Sequence, residues 1–159
     1  MSAEHIFENY EGPAERARRL VLEQHRELRG LLLLGVDQAA GASHRRGPTE
    51  HTLRALIGQI REVFVQHLID EEALILPLLE VDLPLGPQRA EALHQEHERQ
   101  RAELRELATW SSDRGDADLA VRFQHLATAL LDDIAHEEKD LLVPEVIRDD
   151  QIVIDQTDG

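Results

Sequence analysis

The spacing of proline- and glycine-rich breaks along the chain is the feature that most constrains its fold. The breaks fall at 12–13, 39–49, 82–88 and 111–116. They leave four long segments, at roughly 14–37, 49–80, 88–110 and 116–146. Long segments that begin and end at such breaks are typical of helices. The sequence therefore predicts four helices.

The amino-acid composition also favours helices over strands. Aromatic residues make up only 3% of the 159 residues, while leucine, alanine, glutamate and arginine recur throughout. A chain of this length can bury one sizeable core. Short connections between helices favour antiparallel neighbours. We therefore expect an all-α protein, an antiparallel up-down-up-down four-helix bundle at 1–148, followed by an acidic tail at 149–159.

The charge and the cysteine content exclude several kinds of partner and site. With 17 basic and 32 acidic residues the formal net charge is −15, which repels nucleic acids and anionic membranes. The absence of cysteine excludes disulfides and thiolate metal sites. No stretch approaches the roughly 20 apolar residues of a membrane span, and no signal peptide is evident. We expect a cytoplasmic monomer or homodimer.

Polar residues interrupt the apolar stripe of each predicted helix. In the second segment, eight residues follow alternating steps of four and three, the pattern of a bundle seam: Leu53, Ile57, Ile60, Phe64, His67, Glu71, Leu74 and Leu78. The seams of the other segments contain further polar residues: His25, His97, and His136 with Asp140. Each predicted helix thus presents a histidine on its inward face.

This combination of histidines and carboxylates predicts a metal site. Two side chains four residues apart on a helix lean towards one point, as His67 does with Glu71 and His136 with Asp140. A buried carboxylate needs strong compensation, which a cation supplies. Imidazole and carboxylate ligands suit iron, manganese or zinc.

A ferritin-like arrangement is the alternative within helical bundles. Glu91 and His94 have the Glu-x-x-His spacing of such sites, but the second segment contains no matching motif.

The order His, His-x-x-x-Glu, His, His-x-x-x-carboxylate resembles the hemerythrin-like, or HHE cation-binding, family over residues 14–146. Residues 67–77 read HLIDEEALILP, close to that family's second-helix motif H-x-x-x-E-E-x-x-L-x-P. The resemblance implies a pair of non-haem iron ions with an oxo or hydroxo bridge, ahead of zinc or manganese. It also implies six metal ligands: His25, His67, Glu71, His97, His136 and Asp140.

The last carboxylate ligand has an alternative. Aspartate stands at 140 where these domains often have glutamate, and an alignment of Pro77 with Pro144 would select Glu138 instead. Asp140 is preferred because it shares the helix face of His136, whereas Glu138 lies about 200° away from that histidine.

Other polar and aromatic residues have secondary roles in this interpretation. His94, one turn before His97, is a further candidate ligand, and Asp133 is expected to orient a ligand imidazole. Tyr10 and Trp110 are expected to pack rather than line the site. The remaining histidines are expected on the surface or in loops: His5, His44, His51 and His125.

The family resemblance also implies a range of activities on small molecules. Such domains are associated with dioxygen binding, oxygen or iron sensing, nitric oxide handling, iron-centre repair and catalase-like peroxide removal. We expect a di-iron oxidoreductase that acts on hydrogen peroxide, dioxygen or nitric oxide, with peroxide removal first. The alternative is a non-catalytic protein that binds or senses dioxygen or iron, and a structural bundle with zinc or no metal is a third possibility.

Overall fold

The computed structural model describes residues 11–42, 49–81 and 85–149. This part of the chain contains four long helices, a short helix and one turn of 3-10 helix at Ser112–Arg114. The helices are α1 Pro13–Ala42, α2 Thr49–Leu74, α3 Leu76–Glu80, α4 Gly86–Ala108 and α5 Asp116–Asp140. These residues form no strand, so the predicted all-α class is confirmed. None of the described helices is long and apolar enough to cross a membrane.

The predicted second helix is divided into α2 and α3. Pro77 lacks the backbone N–H that would continue the helical hydrogen bonding. Ile75 N still donates to Glu71 O at 2.8 Å, and Leu79 N donates to Ile75 O at 3.0 Å. The chain therefore continues in nearly the same course after one irregular residue, and Glu71 remains inside regular helix.

The last predicted helix ends earlier than expected, at Asp140 rather than near 146. Beyond it the chain forms turns that bury Leu142 and Ile147 against the bundle. Asp149 then accepts a hydrogen bond from Ala14 N at 2.7 Å, at the start of α1. The remaining residues of the predicted tail, 150–159, lie outside the described part.

The long helices pack side by side around a shared core. α1 packs against both α2 and α5, α2 packs against α4, and the contact between α4 and α5 is the least extensive of these. Gly35 allows the close approach of α1 and α5, because a Cβ atom there would lie 2.4 Å from the Phe123 ring.

The apolar core consists of two clusters separated by a buried polar layer. The first takes its buried residues from 28–39 of α1, 53–68 of α2, 104–110 and 119–134. The second takes them from 14–21 of α1, with Ile75, Leu79, Ala90, Leu142 and Ile147. Between the two, along each long helix, lie buried histidine or glutamate side chains.

Candidate metal centre

Five ionisable side chains form the polar layer, and all five are buried. They are His25 of α1, His67 and Glu71 of α2, His97 of α4 and Glu137 of α5. Glu71 and the imidazoles of His25 and His97 are fully inaccessible to solvent, and Glu137 is 9% exposed. The structure thus brings four of the predicted ligands together with a fifth residue, Glu137, that was not predicted.

The five side chains form two groups that share Glu137. Possible ligand atoms of His25, His67 and Glu137 lie within 4.8 Å of one another, and so do those of Glu71, His97 and Glu137. Glu137 Oε2 is 3.2 Å from His25 Nε2. Glu71 Oε2 lies between two imidazoles, 3.4 Å from His67 Nε2 and 3.3 Å from His97 Nε2. Two cations could therefore be held side by side.

Several atoms of the layer are buried without a hydrogen-bond partner. These are both ring nitrogens of His25, both carboxylate oxygens of Glu71, and His97 Nε2. A buried polar atom left unsatisfied costs about 1–3 kcal/mol, and more when it is charged. Imidazole nitrogens and carboxylate oxygens at this spacing are suitable ligands for a divalent transition metal. The residues present fit a metal site.

The pKa shifts of His67 and Glu71 in the polar layer favour metal binding by these two residues. Burial lowers the pKa of His67 to about 4, so its imidazole is neutral near pH 7. Burial alone would raise the pKa of Glu71, but the His97 imidazole 3.3 Å away and the charges of the other imidazoles outweigh it, and the pKa is lowered. Metal ligands of these types must be neutral imidazole and ionised carboxylate.

Glu137 behaves differently, because burial raises its pKa and the Glu71 carboxylate adds to that increase. Two buried carboxylates close together repel each other, and a cation between them would remove the repulsion. The arrangement of Glu71 and Glu137 is therefore unfavourable by itself and favourable around positive charge.

The Nδ1 atom of each buried histidine lies near an oxygen of a second side chain. The partners are Glu138 Oε1 at 3.4 Å for His25, Gln24 Oε1 at 3.3 Å for His67 and Glu72 Oε1 at 2.9 Å for His97. Arginines in turn hold the two glutamates: Arg29 contacts Glu138 at 2.9 Å and Arg101 contacts Glu72 at 2.8 Å. Such contacts orient metal-binding imidazoles and fix which ring nitrogen faces the metal.

The structure places His136 and Asp140 outside the cluster, so their predicted inward orientation is wrong. Their side chains are 76% and 48% exposed and pair with each other on the surface at 3.0 Å. The reason is the rotation of α5, which is set by its large apolar residues. From Phe123 onward, the buried positions of α5 are Phe123, Leu126, Ala127, Leu130, Ile134 and Glu137. One position along a helix corresponds to about 100°, which turns Glu137 inward and His136 outward.

The alternative carboxylate and the additional candidate ligand also lie outside the cluster. Glu138 approaches His25 from the Nδ1 side, and its side chain is 30% exposed. His94 is 51% exposed, with its Nδ1 atom 3.8 Å from Glu72. Glu91, its partner in the ferritin-like alternative, is exposed and accepts a hydrogen bond from Gln95.

The other residues singled out in the sequence can also be compared with their positions in the structure. Asp133 is partly buried and accepts a hydrogen bond from Gln100 at 2.9 Å, rather than from a ligand imidazole. Trp110 packs in the first apolar cluster and donates to Gly115 O at 3.1 Å. His125 is exposed. His5, His44, Tyr10 and the side chain of His51 lie outside the described residues.

A helical bundle whose core is interrupted by histidines and carboxylates from all of its long helices defines a class of metal-binding proteins. The family model of the hemerythrin HHE cation binding domain matches residues 16–143 of this chain. The chain therefore belongs to the hemerythrin HHE cation-binding family, and the resemblance noted in the sequence is confirmed. No curated protein and no solved structure matched the chain.

Proposed function

We propose that this protein binds two non-haem iron ions and acts on a small oxygen species, with catalase-like removal of hydrogen peroxide as the first activity to test. The observation that carries the proposal is the pair of buried groups that share Glu137. Domains of this family bind cations, and a mixed set of imidazole and carboxylate ligands suits iron. Zinc and manganese accept similar ligands, so the metal content of the purified protein is the first test.

The proposed ligands follow the structure rather than the sequence pattern alone. One ion would be held by His25, His67 and Glu137, and the other by Glu71, His97 and Glu137. His136 and Asp140 are left out because their side chains are exposed and pair with each other. Three histidines and two carboxylates leave coordination positions open for an exogenous ligand.

The chain's own residues would prepare this centre in three ways. Burial keeps His67 neutral, and an Nδ1–H that donates to Gln24 Oε1 leaves the lone pair on Nε2. Glu71 and Glu137 supply negative charge that offsets the charge of the ions. Glu72 accepts a hydrogen bond from the outer ring nitrogen of His97, and Glu138 lies 3.4 Å from that of His25, so the two carboxylates hold these rings in place. When bound, a pair of redox-active irons would supply electrons and open positions for a small oxygen species.

We also propose that the four long helices run alternately up and down. The membership of the two apolar clusters supports this arrangement. The second cluster combines the start of α1 with Ile75 just after α2, with Ala90 near the start of α4, and with Leu142 just after α5. The first cluster combines the opposite ends, including Ala39, Leu53, Leu107 and Leu119.

The experiment that tests the function measures iron content and the optical spectrum, and then oxygen release after hydrogen peroxide is added. About two irons per chain with sustained oxygen release would support a peroxide-removing enzyme. Iron without turnover would contradict the enzyme and favour a non-catalytic protein that binds or senses dioxygen or iron. Absence of iron after anaerobic loading with ferrous ions would overturn both.

A further inference from the structure

A groove between α4 and α5 leads from the surface towards the buried cluster. It encloses about 600 Å³ and is lined mainly by apolar atoms, including those of Ala92, Leu93 and Leu141. Of the five buried cluster residues, only Glu137 lines this groove. None of the three buried histidines lines it, so the groove meets the centre on the α5 side, at Glu137.

A second, much smaller cavity, the inner cavity, lies among buried core residues and shares two lining residues with the groove. Its lining includes His67, Gln100, Ile134 and two residues that also line the groove, Asp133 and Glu137. Asp133 and Glu137 therefore stand at the boundary between the outer groove and the inner cavity. Asp133 is held in this position by the hydrogen bond from Gln100 at 2.9 Å.

The size of the inner cavity limits what it can hold. The volume of the inner cavity is only about 10 Å³. One water molecule needs a space of roughly 10–15 Å³. The inner cavity therefore has room for a molecule of very few atoms and excludes larger organic substrates.

The charge along the route disfavours anions. Apart from Glu137, whose charge the bound ions would offset, the groove is lined by three carboxylate side chains, against one arginine and one histidine: Glu96, Asp133 and Asp140, with Arg89 and His136. A partly enclosed space lined by an excess of one charge repels ions of the same sign. An uncharged molecule meets no such barrier.

We infer that the groove between α4 and α5 is the entrance by which small uncharged molecules reach the metal centre, and that Asp133 controls passage into the inner cavity. The inference rests on the proposed function and adds a substrate class to it. Dioxygen, nitric oxide and hydrogen peroxide belong to that class, whereas small anions are expected to enter more slowly.

The test compares two tryptophan variants of the iron-loaded protein. Ala92→Trp would fill the groove, whereas Ala102→Trp adds the same ring to an exposed position of α4 outside it. Stopped-flow absorbance would record the association of nitric oxide, an uncharged probe, and of azide, an anionic one. Ala92→Trp is expected to slow both by on the order of tenfold, with iron content and the resting spectrum unchanged. Ala102→Trp is expected to match the wild type.

Asp133→Asn tests the charge separately, because asparagine can still accept the hydrogen bond from Gln100. We expect azide to associate several-fold faster in this variant, most clearly at low ionic strength, while nitric oxide keeps its rate. Equal nitric oxide rates in wild type and Ala92→Trp would overturn the entrance while leaving the iron site standing. An unchanged azide rate in Asp133→Asn would overturn the role of Asp133. A wild-type protein that takes up no iron would overturn the proposed function and the entrance with it.

Discussion

The Nδ1 atom of His97 lies 2.9 Å from Oε1 of Glu72, on the side of the ring opposite the buried cluster. Arg101 contacts the same oxygen at 2.8 Å. Burial would raise the pKa of Glu72, but the hydrogen bonds from Arg101 and His97 outweigh it, and the carboxylate is ionised. An Nδ1–H that donates to Glu72 leaves the lone pair on Nε2, which faces Glu71. Glu72 is therefore a positioning residue for His97.

Glu72→Ala is expected to weaken metal binding without removing any proposed ligand. Loss of a hydrogen-bonding partner behind a metal-binding histidine typically lowers metal affinity by about 10–100-fold. Competition with a chelator of known affinity, for ferrous ions or zinc, would measure the change in Kd.

Glu98→Ala is the matched control for that experiment. Glu98 also contacts Arg101 at 2.8 Å, but its side chain is 62% exposed. We expect metal affinity in Glu98→Ala to equal that of the wild type. Equal losses in the two variants would show that Arg101, rather than the Glu72 contact with His97, accounts for the effect.

Glu137→Ala and His136→Ala distinguish the ligand that the structure favours on α5 from the ligand that the sequence pattern predicts. Glu137 belongs to both buried groups, so its loss is expected to reduce metal content to one ion per chain or fewer. His136 is 76% exposed, and its substitution is expected to leave metal content unchanged. Elemental analysis of both variants, loaded and desalted in parallel, gives the answer. Loss of metal in His136→Ala with retention in Glu137→Ala would contradict the proposed ligands.

The prediction for α5 assigned the wrong face of the helix to the core, although the sequence contains a signal for the correct one. The predicted seam follows His136 and Asp140, and its next position towards the N-terminus is Asp133. The larger apolar residues follow a different register, in steps of three, four and four, and this register continues to Glu137: Phe123, Leu126, Leu130 and Ile134. Burial of such residues contributes about 1.5–3 kcal/mol each, so they determine the rotation of the helix. On α1, α2 and α4 the histidine falls in the same register as the apolar residues, and the structure buries it as the seam predicts.

The residues that contact the Nδ1 atoms of the buried histidines could not be derived from the pattern of one helix. Glu71 lies on the predicted seam, whereas Glu72 and the pair 137–138 look like a polar face when each helix is considered alone. In the structure, the first glutamate of each pair enters the cluster and the second supports a histidine from another helix. Contacts of this kind depend on how two helices are rotated and spaced against each other. A single sequence does not contain that information directly.

Gly35→Ala is expected to destabilise the bundle. A Cβ atom at this position would lie 2.4 Å from the Phe123 ring, which is fully buried and cannot easily move. Overpacking of this kind costs about 1–3 kcal/mol of the free energy of unfolding. Gly30→Ala is the control on the same helix, since nothing lies within 4 Å of its added Cβ atom. Urea unfolding should show lower stability in Gly35→Ala and unchanged or greater stability, by up to about 1 kcal/mol, in Gly30→Ala. Equal stabilities would contradict the close packing.

Acid should destabilise the metal-free protein through His67. Burial lowers the pKa of its imidazole from 6.5 to about 4, so between these values the unfolded chain binds a proton that the folded protein does not. The contribution to stability is therefore complete above about pH 6.5 and is lost as the pH falls towards 4. One pKa unit corresponds to 1.36 kcal/mol, which gives a loss on the order of 3 kcal/mol. Chelator-treated protein, unfolded in urea and followed by the fluorescence of the sole tryptophan, Trp110, would measure it.

The contribution of His67 has to be separated from that of His97. Burial would lower the pKa of His97, but the adjacent Glu71 carboxylate and the hydrogen bond to Glu72 raise the pKa overall, so the contribution of His97 to stability is lost as the pH rises. The quantity to compare is therefore the difference in stability between the wild type and His67→Gln. We expect the advantage of the wild type over this variant to shrink as the pH falls from about 6.5 towards 4, because glutamine binds no proton. His125→Gln, at an exposed position of α5, should leave the pH dependence unchanged. A constant difference between wild type and His67→Gln across this range would show that His67 does not cause the acid sensitivity.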